Sequence, residues 1–242
     1  METLDARSPR PVAPQVGDLL LVEDDDELRA VMAGALVADG HRVVEAADGE
    51  AALDALADGS FDLMLLDLAL GPGLDGIEVC RRLRRAGAQL HVVVLTARHG
   101  EANVVMALEA GADDYVTKPV GLAELRSRVR AVLRRMRPDQ PARDVLRHGP
   151  VALDRAARTA AVGATPMRLT YSEFEVLRAL LAAGGRLLSR RELLRAIFGD
   201  DAYRDPRAID VHIHHLREKL AAAGGDPDAI VTVRGAGYRL RG

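Results

Sequence analysis

The 242-residue sequence predicts two folds in one chain: an α/β doubly wound domain with a five-stranded parallel sheet, followed by a smaller α+β domain. Over residues 18–135, five short apolar runs alternate with amphipathic segments. From residue 145 the pattern shifts to alternating runs punctuated by Gly and Pro, and then to three capped helices. The charge changes sign near the same place. Residues 1–137 carry 16 Lys/Arg against 23 Asp/Glu, a net of −7, whereas residues 138–242 carry 17 against 13, a net of +4. An acidic front and a basic back imply different partners, with a polyanion suiting the back.

Residues 1–17 (METLDARSPRPVAPQVG) mix prolines with acids and lack an apolar stretch, so they are expected to be a disordered tail and not a signal peptide. Leu19–Val22, Arg42–Glu45, Leu63–Asp67, Val92–Leu95 and Tyr115–Thr117 are the expected strands, because aliphatic runs this short suit a buried parallel sheet. The helices are expected at Glu27–Ala38, Gly49–Ala57, Ile77–Arg85, Asn103–Ala110 and Leu122–Arg137. Leu28, Val31, Met32, Ala35 and Leu36 show the helical spacing in the first of them. Strand–helix alternation with right-handed crossovers covers both sheet faces. The charged, proline-bearing stretch 136–144 is the expected linker.

In residues 145–241, short antiparallel strands come first. Thr170-Tyr-Ser-Glu173 and Ser189-Arg-Arg-Glu192 then read as capping boxes, and Asp205-Pro206 opens a third helix that Gly224-Gly225 ends. Residues 230–233 and 238–241 flank a tight turn, Arg234-Gly-Ala-Gly237. Apolar residues make up 48% and charged residues 29%, which excludes collagen-like repetition and wholesale disorder. A single cysteine, Cys80, excludes an internal disulfide and suits a reducing compartment. No apolar run approaches the roughly 18 residues that would span a bilayer, so no membrane association and a cytoplasmic location are expected.

All strand carboxyl ends of a parallel sheet share one edge, where such folds bind ligands. Glu23, Asp24, Asp67, Thr96 and Lys118 follow or end strands and are therefore expected to converge. Crowded carboxylates repel one another unless a cation joins them, and a set of oxygen donors suits Mg²⁺ with a phosphate. An acid after a strand is more often a helix cap, and Asp25 or Asp26 is expected to serve that role. Lys118 stands out because Lys118 and Lys219 are the chain's two lysines among 33 basic residues, and a compact ammonium is useful as a point charge.

Val22-Glu-Asp-Asp25, Leu66-Asp-Leu68, Val94-Leu-Thr-Ala97 and Gly111-Ala-Asp-Asp-Tyr-Val-Thr-Lys-Pro119 resemble the receiver domain of two-component response regulators, across residues 18–135. The resemblance implies a flavodoxin-like strand order and Asp67 as acceptor of a phosphoryl group from a sensor histidine kinase. It also implies Mg²⁺ held by Glu23, Asp24, Asp67 and the backbone carbonyl of Ala69. Lys118 would pair with the phosphoryl group, Thr96 would hydrogen-bond it and Tyr115 would switch inward. Three departures stand out: proline falls five residues after the acceptor in Leu70-Gly-Pro-Gly73, Val120 replaces the usual Phe, and Val104 occupies an often basic position.

Ile209, Ile213, Leu216 and Leu220 form the core stripe of the third rear helix, opposite Arg207, Val211, His214 and Glu218. His212, His214 and His215 point to different faces, so zinc is not expected. Arg207-Ala-Ile-Asp-Val-His-Ile-His-His-Leu-Arg-Glu-Lys219 and Val231-Thr-Val-Arg-Gly-Ala-Gly-Tyr238 resemble the winged-helix DNA-binding domain of the OmpR/PhoB family. That implies a helix in the major groove of double-stranded DNA and an Arg234 wing in the minor groove. Val211, His214, His215 and Arg217 become candidates for base or backbone contact, with Arg207, Thr232 and Tyr238 for phosphates. The whole is expected to be a phosphorylation-controlled transcription regulator that dimerises on activation and works with RNA polymerase. The alternative is a DNA-binding regulator whose receiver is a phosphorylation-independent dimerisation module. A Mg²⁺-dependent phosphohydrolase lacks support, since Asp67-Leu-Ala69 has no Asp-x-Asp, and no enzyme is expected.

Overall fold

The computed structural model describes residues 16–97, 101–136, 145–199, 206 and 208–241. Residues 1–15 of the expected tail, residues 137–144 of the expected linker and Arg207 lie outside the described residues. The front domain runs β1 (Asp18–Val22), α1 (Asp26–Ala38), β2 (Arg42–Ala46), α2 (Gly49–Asp58), β3 (Leu63–Asp67) and α3 (Gly76–Arg85). It continues with β4 (His91–Ala97), α4 (Glu101–Glu109), β5 (Asp114–Lys118) and α5 (Leu122–Met136). The strands pair in parallel in the order β2-β1-β3-β4-β5.

Helices cover both faces of the sheet, so successive side chains of the central strands β1, β3 and β4 are largely apolar on either side. The edge strands β2 and β5 carry charged residues such as Arg42, Glu45 and Lys118. Leu20, Val22, Met64, Leu66, Val92 and Val94 face one helical layer, while Leu19, Leu21, Leu63, Leu65, Val93 and Leu95 face the other. Asp25, Asp48 and Asp75 cap α1, α2 and α3 by accepting the N–H groups of Leu28, Ala51 and Glu78 at 2.9, 2.7 and 2.7 Å. Asp25 is thus the cap in the acidic run, which leaves Glu23 and Asp24 for the site. Order begins before the expected tail ends, because Gly17 donates to His41 Nδ1 at 3.2 Å and accepts from Arg42 N–H at 3.0 Å. Met136 is the last residue of α5, not the first of the linker, because it packs against the cores of both domains.

The rear domain opens with an antiparallel sheet of β6 (Val145–His148), β7 (Val151–Asp154), β8 (Thr159–Val162) and β9 (Thr165–Met167). There follow α6 (Tyr171–Ala182), α7 (Arg190–Phe198) and α8 (Ala208–Ala222), a 3₁₀ turn at Pro227–Ala229, and a hairpin of β10 (Ile230–Val233) and β11 (Gly237–Leu240). Both expected capping boxes form, at Thr170/Glu173 and Ser189/Glu192. Ile209, Ile213, Leu216 and Leu220 are at most 1% exposed, each burial worth about 1.5–3 kcal/mol against an exposed side chain. Gly237 is obligatory at φ +149°, since a Cβ there would lie 2.0 Å from the carbonyl oxygen of Leu188, whose backbone pairs with Tyr238. Among the described residues, no helix is long and apolar enough to cross a membrane.

Candidate functional site

At the carboxyl edge of the front sheet, β1 ends before Glu23 and Asp24, β3 ends on Asp67, β4 carries Thr96 and β5 ends on Lys118. Glu23, Asp24 and Asp67 each place a carboxylate oxygen within 4.8 Å of the others. Lys118 Nζ donates to Glu23 at 2.8 and 2.6 Å and to Asp67 Oδ2 at 2.6 Å, while Ala69 N–H donates to Asp67 Oδ1 at 3.1 Å. Glu23 and Asp67 are buried, at 1% and 3% exposure, but Asp24 is open to solvent. Three carboxylates against one ammonium leave two negative charges in excess. Burial, resisted by the Lys118 hydrogen bond and reinforced by Asp67, lifts the Glu23 carboxyl above its ordinary value. Burial opposes the Lys118 charge, yet hydrogen bonds to Asp67 and Glu23 hold that ammonium above its usual value. An excess of hard oxygen donors around a strained charge balance fits a divalent cation such as Mg²⁺.

The loop with the displaced proline runs beside this edge, since a Cβ on Gly71 would lie 3.7 Å from Asp24 Oδ2. Leu74 N–H donates to the Glu50 carboxylate at 3.3–3.4 Å, which draws the loop toward α2. Gly76 starts α3 against the Asp67 backbone, since a Cβ there would meet the Asp67 carbonyl oxygen at 2.2 Å. Thr96 is buried beside this edge, and Tyr115 is half-buried against the layer that holds Leu66 and Val94. The Lys118–Pro119 bond is cis.

In the rear domain, Val211 is half-buried and His214 and Arg234 are exposed. Arg217 instead ties α8 to the hairpin, donating to the Ile230 carbonyl at 2.7 Å and to Thr232 Oγ1 at 2.8 Å. Tyr238, expected to face phosphates, lies inside at 4% exposure and donates its hydroxyl to Asp210 at 2.7 Å. Burial and that carboxylate push its phenol up to about 12. His215 sits 3.7 Å from Glu173, to which Lys219 also donates at 2.5 Å, and burial holds its imidazole below the ordinary histidine value.

Sequence reasoning missed Arg190, whose guanidinium pairs with Asp210 at 2.7 Å and stacks 5.1 Å from the Tyr238 ring. It also missed His212 as a buried group, Ser172 as a partner of Asp113, and Arg135 as a partner of α7. Only the wheel carried a signal, since His212 borders the core stripe.

Two protein families match the chain: "Response regulator receiver domain" over residues 19–130 and "Transcriptional regulatory protein, C terminal" over residues 164–240. The transcriptional regulatory protein AfsQ1 of Streptomyces coelicolor is 44% identical over 92% of this chain and 97% of its own length. The sensory transduction protein RegX3 of Mycobacterium tuberculosis is 40% identical over 93% of this chain and 99% of its own. Among solved structures, a mutant of RitR matches with TM-score 0.75 at 26% identity, covering 93% of this chain and 99% of that one.

Proposed function

Because the chain belongs to the two-component response regulators that join a receiver to an OmpR/PhoB-type DNA-binding domain, we propose that Asp67 is its phosphoryl acceptor and a sensor histidine kinase the donor. The observation that carries this reading is the buried Asp67 carboxylate, held by Lys118 and the Ala69 N–H at an acidic edge, in the same chain as a helix–hairpin unit. One Asp67 oxygen attacks phosphorus as the bond from phosphorus to the kinase imidazole breaks, and the imidazole leaves. No protein base is needed, since a carboxylate is already ionised; positioning and charge neutralisation do the work. Lys118 turns from Asp67 to the incoming phosphoryl oxygens. Mg²⁺ held by Glu23, Asp24, Asp67 and the Ala69 carbonyl would supply further neutralisation of the phosphoryl charge.

Thr96 then turns toward the new anion and Tyr115 follows, biasing the surface formed by α4, β5 and α5. The activated receiver pairs with a second copy. Two rear domains then bind tandem half-sites about one helical turn apart on double-stranded DNA. In this reading the half-buried Val211 and the exposed His214 and Arg234 contact DNA, whereas Arg217, Thr232 and Tyr238 hold the reading helix to the wing. RNA polymerase is the downstream partner, the cytoplasm the site of action, and the role is regulatory and not enzymatic.

Acetyl phosphate labelling should mark the wild type and not Asp67→Ala. Duplex DNA binding, at fixed salt, should tighten with beryllofluoride in the wild type alone. Label persisting in Asp67→Ala overturns the acceptor assignment. Binding indifferent to beryllofluoride favours the alternative of a phosphorylation-independent dimerisation module.

A further inference from the structure

Glu50 stands outside the acidic edge, yet it holds the loop that leads away from Asp67. That loop runs from β3 to α3 and carries the displaced proline in Leu70-Gly-Pro-Gly73. Its base is closed by the Gly76 N–H, which donates to the Leu68 carbonyl at 3.2 Å. Leu70 is buried in the layer that holds Leu66, and Leu74 packs half-buried against the same layer. Between them Gly71, Pro72 and Gly73 are exposed, and the two glycines leave this tip free to take many conformations unless something outside the loop fixes it.

The start of α2 is shaped to do so. A Cβ on Gly49 would lie 2.6 Å from the Leu74 carbonyl oxygen and 2.7 Å from the Leu74 Cβ, so glycine there admits the loop at close range. Glu50, the next residue, accepts the Leu74 N–H on its two carboxylate oxygens at 3.3 and 3.4 Å. Its Oε2 also lies 3.0 Å from where a Cβ on Gly73 would stand. One side of the tip thus rests on Glu50, while Gly71 on the other side faces Asp24 across 3.7 Å, measured from the same kind of Cβ. Ala69 lies in the segment between Asp67 and buried Leu70. Mg²⁺ demands near-ideal octahedral geometry with oxygens at about 2.0–2.1 Å, so a carbonyl on a wandering loop would contribute little to holding it.

We propose that Glu50 is a positioning residue for the Mg²⁺ edge: by holding Leu74 it fixes the loop so that the Ala69 carbonyl serves the ion together with Glu23, Asp24 and Asp67. This inference rests on the reading of that edge as a Mg²⁺ site. An acid in the first turn of a helix also favours the helix dipole, and that role alone would change stability and leave Mg²⁺ affinity untouched.

Calorimetric titration of the full chain with MgCl₂, without any phosphoryl donor, tests the proposal on Glu50→Ala and Glu50→Gln. Circular dichroism melts are run in parallel. Glu50 is exposed, so both variants keep the fold. Alanine removes the acceptor of the Leu74 N–H; glutamine keeps an oxygen that accepts it and drops only the charge. Glu50→Ala should raise the Mg²⁺ dissociation constant roughly threefold to tenfold, less than the about 10–100-fold found where the partner of a metal ligand is lost directly. Glu50→Gln should stay near the wild-type value. Equal constants in Glu50→Ala and a Mg²⁺-binding wild type overturn the positioning role and leave the metal reading standing. Equal weakening in both variants shows that charge alone acts, and overturns it too. A wild type that binds no Mg²⁺ overturns the reading of the edge itself, and this inference with it.

Discussion

Lys118→Met removes the ammonium from the acidic pocket while keeping a side chain of similar length. Glu23 and Asp67, both buried, then lose the donor that bridges them at 2.6–2.8 Å. Deleting one partner of a buried ion pair costs about 3–5 kcal/mol. Here Lys118 is 19% exposed and Asp24 faces solvent, so water relieves part of the strain. The expected loss is about 2–3 kcal/mol at pH 7 without divalent ions. For a domain of this size that is roughly a 10 °C fall in Tm. The Glu23 carboxyl already sits above its ordinary value through burial, and Lys118 is what restrains it. A raised carboxyl contributes stability at low pH that is lost as pH rises through its folded-state value, so the deficit should shrink as pH falls toward about 5. Millimolar Mg²⁺ should stabilise the variant more than the wild type, because it neutralises the same carboxylates. Urea denaturation followed by circular dichroism, with and without Mg²⁺ at both pH values, measures all of this. A variant as stable as the wild type at pH 7 without Mg²⁺, or an equal Mg²⁺ increment in both, would show that excess negative charge does not govern this edge.

Tyr238→Phe should destabilise the DNA-binding domain by about 1 kcal/mol, read from its urea midpoint, since Asp210 loses the phenol but keeps Arg190. The His212→Gln variant isolates a proton-linked term. Burial lowers the His212 pKa, while Asp113, Glu173 and Asp114 oppose the shift and His215 assists it. A lowered histidine contributes stability that is whole above about pH 6.5 and lost as pH falls below it, because only the unfolded chain takes up the proton readily. The wild type should therefore lose more stability than His212→Gln between pH 7 and 5.5. Equal losses in the two proteins would show that folding does not lower the His212 pKa.

Much of the front domain was legible because its signals are local or topological. Buried parallel strands must be apolar on both faces, so Leu19–Val22 and Leu63–Asp67 announce themselves. A parallel sheet then carries every strand end to one edge, which brings Glu23, Asp67 and Lys118 together across 95 positions with no need of a contact map. The capping boxes at Thr170 and Ser189 were equally readable, since their chemistry lies within four residues. The run Glu23–Asp26 was legible only in part. That Asp25 caps α1 while Glu23 turns inward to Lys118 depends on where the helix begins.

What the tertiary structure alone decided concerns groups whose partners lie far away in sequence and in another element. Tyr238 and Arg217 look like DNA contacts on a wheel and a hairpin, yet Asp210 and the Ile230 carbonyl engage them from within the domain. Asp113 reads as one of two adjacent acids, and nothing near it says that it caps a helix 59 residues on. His212 reads as one of three histidines, and its burial appears only when α4 is set against α8. Period and propensity are properties of a segment, so one sequence states them. The pairing of a particular donor with a particular acceptor across two domains depends on relative placement, which no segment encodes by itself.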